Sequence, residues 1–275
     1  MSHPPLKLIW LTDLHLVEQG GRVCGYDPNA SLDSALDYIK TFHQDADYCV
    51  LTGDLADHGK ETCYHHLDKR FHELNLPYLA IPGNHDCRDA MGRGLSHASN
   101  PLPSATDPNH FIQFSVVKNG VRLIGLDTLH PGFSTGEYCE ARWQWLEQQL
   151  SDDPDTPVVV FCHHHPAELH LPMQDGERLA DGDTLVRRLC DAPQIRHLFF
   201  GHVHRPVSGC FQTLPFTALQ SATLQAELPY PPWNWDNFRP ANESPALGII
   251  HLTENSVVCH FHPFCGPDAH FASAV

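Results

Sequence analysis

Five short apolar runs in this 275-residue chain each lead into polar side chains of the kinds that bind metal ions. Leu6 to Leu11 leads into Asp13-Leu14-His15, and Tyr48 to Leu51 into Gly53-Asp54. Tyr78 to Ile81 leads into Gly83-Asn84-His85-Asp86. Val158 to Cys162 leads into His163-His164-His165-Pro166, and His197 to Phe200 into Gly201-His202-Val203-His204. Runs this short, bounded by turn residues, read as strands buried on both faces. Between the first three runs, Leu32, Ala35, Leu36 and Ile39 recur at helical spacing behind Ser31, an N-cap candidate. Tyr64, Leu67, Phe71 and Leu74 mark a second helix. This β-α-β-α-β rhythm implies parallel strands with helical crossovers. In parallel strands all five polar sets leave at one carboxyl edge, where open α/β sheets build sites.

The rest of the chain is less regular. Residues 92–110 are rich in Gly, Ser, Pro and Asn and read as a long surface loop. Phe111 to Val117 and Val121 to Leu126 flank Asn119-Gly120, a hairpin signal. Trp143, Leu146 and Leu150 stripe a helix, and a shorter one is expected near Thr184 to Leu189. The last third reads as β, with Ala246 to Leu252 and Val257 to Phe261 around a turn at Glu254-Asn255. With no internal repeat and no dividing linker, residues 1–275 are expected to form one domain with a C-terminal β portion at about 206–265. Within it, Leu228 to Pro240 holds four aromatics and four prolines, which rule out a regular helix or central strand. Such a loop either packs its rings on the body, or forms the rim of a pocket or a contact between subunits of a homo-oligomer.

Composition narrows the partners. Lys plus Arg total 17 against 33 Asp plus Glu, a formal charge of −16. Such a surface repels nucleic-acid polymers and anionic membranes, so a small-molecule substrate is expected. The ten cysteines contain no Cys-x-x-Cys pair, several sit inside apolar runs, and neither a signal peptide nor a run of spanning length is visible. The expectation is a cytoplasmic protein with reduced, structural thiols.

Histidine is abundant, at 22 residues. Asp13-x-His15, Gly53-Asp54 or His202-x-His204 alone would be an ordinary loop, but the five sets together offer four His, two Asp and one Asn. Glycines before Asp54, Asn84 and His202 permit close backbone approach. That set exceeds the four ligands of a structural zinc site and includes no cysteine. Mixed imidazole and oxygen donors suit Fe, Mn, Zn or Co, and Asp54 can bridge two ions. Paired ions clamp the attacking and leaving oxygens of a displacement at phosphorus.

The combination Asp-x-His, Gly-Asp, Gly-Asn-His-Asp, His-x-Pro and Gly-His-x-His resembles the calcineurin-like metallophosphoesterase superfamily, over Asp13 to His204. The resemblance implies an α/β fold, a β-sandwich of two mixed sheets flanked by helices in four α/β/β/α layers. It implies Asp13, His15, Asp54 and His204 around one ion and Asp54, Asn84, His164 and His202 around the other. His164 is taken from the triplet because the family ligand stands two residues before the proline; His163 and His165 are then neighbours. His85 matches the family's non-ligating histidine, contacting the phosphoryl oxygen or protonating the leaving alkoxide. Asp54, Asn84 and His85 are the residues expected to carry catalysis, and Asp86 is a candidate to orient His85.

The implied activity is a phosphodiesterase that attacks small phosphodiesters in line with a metal-bridging hydroxide. Chain length, the His-His-His-Pro run and Gly25-Tyr26-Asp27-x-Asn29 are similar to bacterial class III cyclic nucleotide phosphodiesterases, so 3′,5′-cyclic nucleotides are the first expectation. Glycerophosphodiesterases share related features, and broad phosphodiester or phosphonate monoester hydrolysis is a further alternative. An inactive metal-binding scaffold is disfavoured because no ligand position is missing. Gly132-Phe133-Ser134-Thr135-Gly136 matches a nucleophile-elbow pattern but stands well beyond its strand. Arg88 is read as a salt-bridge residue, with phosphate contact as the alternative.

Overall fold

The computed structural model describes residues 4–102, 110–228 and 234–271. Among the described residues thirteen strands and five α-helices run in the order β1 (Leu6–Leu11), α1 (Pro28–Phe42), β2 (Tyr48–Thr52), α2 (Glu61–Leu74), β3 (Tyr78–Ile81), α3 (Arg88–Gly94), β4 (Phe114–Lys118), β5 (Val121–Gly125), α4 (Glu140–Asp152), β6 (Val158–Cys162), α5 (Gly182–Asp191), β7 (Ile195–Phe200), β8 (Val207–Phe211), β9 (Leu214–Ala218), β10 (Gln225–Ala226), β11 (Pro240–Ala241), β12 (Ala246–Leu252) and β13 (Val257–Pro263). They form two large sheets, ordered β13-β12-β1-β2-β3 and β4-β5-β6-β7-β9-β8, beside the small pair β10-β11.

β1, β2 and β3 are parallel, as are β5, β6 and β7. The five ligand-bearing strands are therefore divided between two sheets. The last third closes both: β12 pairs antiparallel with β1, and β9 extends the second sheet beside β7.

The period-2 alternation of each strand sorts its side chains between layers. Leu8, Trp10 and Val50 meet Val159, Phe161 and Phe199 between the sheets. The alternate residues Ile9, Leu11 and Leu51 pack under α1 and α2, while Val158, Val160 and Cys162 pack under α4 and α5. This is the expected four-layer sandwich. Each fully buried large apolar side chain contributes about 1.5–3 kcal/mol relative to exposure.

Two local expectations are corrected. α1 starts at Pro28, with the Asp27 carboxylate accepting from Asn29 N and Ala30 N, so Asp27 is its cap. Ser31 lies inside the helix and donates its hydroxyl to Ala222 O at 2.5 Å. The supposed surface loop at 92–110 begins within α3, whose residues Ala90 and Met91 enter the core; residues 103–109 lie outside the described residues.

Just past β5, Asp127 is fully buried. Its carboxylate accepts Arg88 Nε and Nη2 at 2.7 Å each, plus Ile112 N at 2.8 Å and Leu129 N at 3.0 Å. Arg142 Nη1 stands 3.8 Å away, and both guanidinium groups lie over the Phe111 ring. Arg88 is thus held in an ion pair that ties α3 to the second sheet. Asp127→Ala would leave two largely buried cations short of their anion, and a loss of about 3–5 kcal/mol is expected. Urea unfolding would measure it; a loss below about 1 kcal/mol, the scale of a surface pair, would show that the ion pair does little.

Candidate active site

Each ligand-bearing strand ends in a turn that swings its side chains toward the gap between the sheets. The backbone does this in an unusual conformation. Asp13, His15, Asp54, His202 and His204 all have positive φ, between 48° and 70°. They are half of the ten non-glycine residues with positive φ among the described residues. Left-handed backbone is disfavoured for such residues and concentrates where surrounding structure enforces it. The enforcing contacts are visible. Asp13 N donates to Gly53 O at 3.0 Å and His15 N to Asp54 O at 2.8 Å. His202 N donates to the Asp13 carboxylate at 3.1 Å, which ties the second sheet to the first. Gly53 itself has φ +91°, and a Cβ there would meet His163 Nδ1 at 2.5 Å, so no other residue fits.

Six of the seven predicted ligands gather in two groups, Asp13, His15, Asp54 and His204 in one and His164 and His202, with His163, in the other. Ligand atoms of Asp13, His15, Asp54 and His204 all lie within 4.8 Å of one another. His15 Nε2 and His204 Nε2 are only 3.1 Å apart. His204 Nε2 is 3.4 Å from Asp13 Oδ1, and His15 Nε2 is 3.7 Å from Asp54 Oδ2. Asn84 Oδ1 lies 3.1 Å from His163 Nε2, which is itself 3.3 Å from Asp54 Oδ2. His202 is buried, and its Nε2 has no hydrogen-bond partner.

The His163-His164-His165 triplet is sorted by its contacts. His163, set aside in the sequence as a neighbour, donates Nδ1 to Thr52 O at 2.8 Å and turns Nε2 to Asp54 Oδ2 at 3.3 Å. His164, the predicted ligand, belongs to a compact group with His163 and His202. Its own ring nitrogens, however, face Thr128 Oγ1 at 2.7 Å and Ser134 O at 3.2 Å. His165 pairs with Asp175 at 3.2 Å.

These surroundings set the charges. Burial opposes ionisation of Asp13 and Asp54, but His204 beside the first and His163 beside the second hold both pKa values down. Burial also opposes protonation of His163, yet Asp54 outweighs it and lifts the imidazole to about 9. His164 and His202 are pushed well down by burial and by neighbouring imidazoles, which keeps them neutral.

The donor set fits two metal ions. It combines buried carboxylates, an amide oxygen, imidazole nitrogens crowded to 3.1 Å and the orphaned His202 Nε2. The far nitrogens are tied down as metal-bound histidines require: His15 Nδ1 to Asp57 at 3.0 Å, His204 Nδ1 to Leu224 O at 2.8 Å, His163 Nδ1 to Thr52 O.

His85 is not among the seven. Its N–H donates to Asp54 Oδ1 at 2.9 Å, and its Nδ1 donates to Asp57 O at 2.8 Å. Burial lowers its pKa, but Asp54 and Asp57 prevail and raise it. Asp57, four positions after Gly53, thus supports both His15 and His85, and the sequence reading missed it. Asp86 does not orient His85. Its carboxylate caps the loop, accepting Leu55 N, Ala56 N, Gly83 N and the Tyr64 hydroxyl at 2.8–3.1 Å. Ser134 meets His164 with its carbonyl rather than its hydroxyl, so among the described residues the serine-hydrolase alternative has no Ser134–histidine pair.

Above the cluster lies a cavity of about 200 Å³. It is lined by the polar His15, Asp54, Asn84, His85, His202 and His204, by the apolar Val23, Val203, Leu224, Ala226, Trp235 and Phe238, and by Asp57, Gln174 and Glu177. The aromatic segment therefore forms part of the rim through Trp235 and Phe238; residues 229–233 lie outside the described residues.

Residues 6–206 match the family model described as calcineurin-like phosphoesterase. The chain belongs to the calcineurin-like phosphoesterase family. It is 34% identical over 218 residues to a probable cyclic nucleotide phosphodiesterase of Rhodopseudomonas palustris, covering 77% of this chain and 76% of that protein. A glycerophosphodiester phosphodiesterase of Enterobacter lignolyticus is 27% identical over 90% of this chain and 86% of its own. Among solved structures, a dimetal phosphatase from Danio rerio shares the fold, with a TM-score of 0.69 at 12% identity over 96% of this chain and 98% of that one. As a calcineurin-like phosphoesterase with phosphodiesterase relatives, the chain is a metal-dependent phosphoric diester hydrolase built around a dinuclear centre. No helix among the described residues is long and apolar enough to cross a membrane.

Proposed function

We propose that this phosphodiesterase hydrolyses 3′,5′-cyclic nucleotides. The supporting observation is the mixed lining of the cavity: metal-binding side chains suited to phosphate share it with the rings of Trp235 and Phe238. A nucleobase presents flat apolar faces that stack on such rings, while the glycerol of a glycerophosphodiester does not. The relative with the same assigned chemistry from Rhodopseudomonas palustris points the same way.

In this proposal Asp13, His15, Asp54 and His204 hold one ion. Asp54, Asn84 and His202 hold the other, with His163 in place of His164. His163 aims Nε2 at Asp54 and Asn84, whereas both His164 nitrogens face other protein groups. When bound, the ions supply Lewis acidity at phosphorus and lower the pKa of a coordinated water. The chain's own groups do the rest. Asn84 places an amide at the phosphoryl position. His85, fixed by Asp57 O and biased toward imidazolium by two carboxylates, donates a proton to the departing alkoxide.

A panel of cyclic AMP, cyclic GMP, 2′,3′-cyclic nucleotides and glycerophosphodiesters, each with Mn, Fe, Zn or Co, tests the substrate. Cyclic 3′,5′-nucleotides should have the highest kcat/KM. Trp235→Ala should raise their KM about tenfold, the scale of one lost base–aromatic stack. Preferential cleavage of glycerophosphodiesters, unaffected by Trp235→Ala, would replace this reading.

A further inference from the structure

Among the described residues lining the cavity there is no Lys or Arg. The segments outside the described residues contain none either. Arg88 is held by Asp127, Arg178 donates to Asp175 O, and Arg205 reaches Ala226 O and Glu243. Anionic groups, by contrast, are present beyond those needed for ions. Asp57 is engaged by His15 and His58, at 3.0 and 3.2 Å. Among the described residues Glu177 forms no ion pair; its carboxylate, half-buried on the turn Gln174–Glu177, accepts from the Ser134 side chain and lies within electrostatic reach of His85 and Asp54.

We infer that Glu177 selects substrate by charge, repelling dianionic phosphate monoesters and reserving the site for monoanionic diesters. This rests on the phosphodiesterase reading and holds whatever the leaving group. In the reaction, water adds across one P–O bond. The freed alkoxide takes one proton, the second goes to solvent, and the phosphoryl group changes from monoanion to dianion. The same carboxylate that excludes monoesters as substrates therefore hastens departure of the product. A unit charge a few ångströms from the phosphoryl oxygens, partly screened by water and by the ions, is worth about a fivefold to tenfold difference in affinity between the two charge states.

The test uses the Mn-loaded wild-type protein with Glu177→Gln and Glu177→Asp at about pH 8, above the second phosphate ionisation near 6. Titration calorimetry with methyl phosphate and dimethyl phosphate reads binding of the dianion and the monoanion. Rates with p-nitrophenyl phosphate and bis-p-nitrophenyl phosphate read the same discrimination in turnover. Glu177→Gln should tighten methyl phosphate about fivefold or more, hold dimethyl phosphate within about twofold, and narrow the preference for the diester by a similar factor. Glu177→Asp, which keeps the charge, should restore wild-type selectivity. If Glu177→Gln shifts both ligands together, or neither, while the wild type cleaves the diester, this inference is overturned and the phosphodiesterase reading stands. A wild type that cleaves neither ester overturns both.

Discussion

His85→Ala is expected to retain its metal ions and lose turnover by about 10²–10³-fold, within the range for removing a general acid. The separation follows from geometry. His85 is outside the proposed ligand set, and its contacts to the cluster run through its backbone N–H, which donates to Asp54, and its ring, whose centroid lies 4.7 Å from that of His15. Alanine keeps the backbone donor, so the Asp54 carboxylate stays where it is. What disappears is the imidazole that Asp57 O holds by Nδ1, leaving Nε2 for the leaving oxygen. Elemental analysis of the purified variant and steady-state rates on bis-p-nitrophenyl phosphate check both halves. The parental rate in a fully metallated variant would mean another group donates the proton.

The second large effect concerns metal itself. Asp54→Ala is expected to strip one or both ions, because both His15 and His163 turn Nε2 to its Oδ2. His163→Ala should cost one ion by on the order of a hundredfold in affinity, at or beyond the upper end of what disturbing an outer partner costs. His164→Ala should stay within about tenfold, since Thr128 and Ser134 engage both of its nitrogens. Metal content after dialysis against graded chelator distinguishes the three. Should His164→Ala lose an ion while His163→Ala keeps both, the assignment within the triplet reverses.

The proposed exchange of His163 for His164 turns on where the motif stops short and strand periodicity continues. Phe161 packs between the sheets and Cys162 under the helices. Continued by one and two residues, that alternation places His163 on the side of Thr52 and Asp54 and His164 on the helix side with Thr128. The signal was in the sequence and was outweighed by distance to Pro166. The strands themselves were legible because burial on both faces leaves continuous apolar runs, and the ligand sets because each follows such a run. Division of those strands between two sheets was not legible from the runs, since parallel neighbours look alike whichever sheet they join. Asp57 and Glu177 lie in loops with no periodicity, and only the folded chain brings them to the cavity. Ser31 lost the start of α1 to Asp27-Pro28, where a carboxylate and a fixed φ act together.

The placement of the ligands on two facing sheets has a consequence for the integrity of the protein. Asp13, His15, Asp54 and Asn84 follow strands of one sheet, and the triplet, His202 and His204 follow strands of the other. In the proposed assignment each ion would join the two sheets at the mouth of the sandwich, and whatever free energy it gained by binding would also be cohesion between the halves. Heat tolerance and catalytic competence then draw on the same supply of cations, so scarcity of metal loosens the molecule at the place where it works.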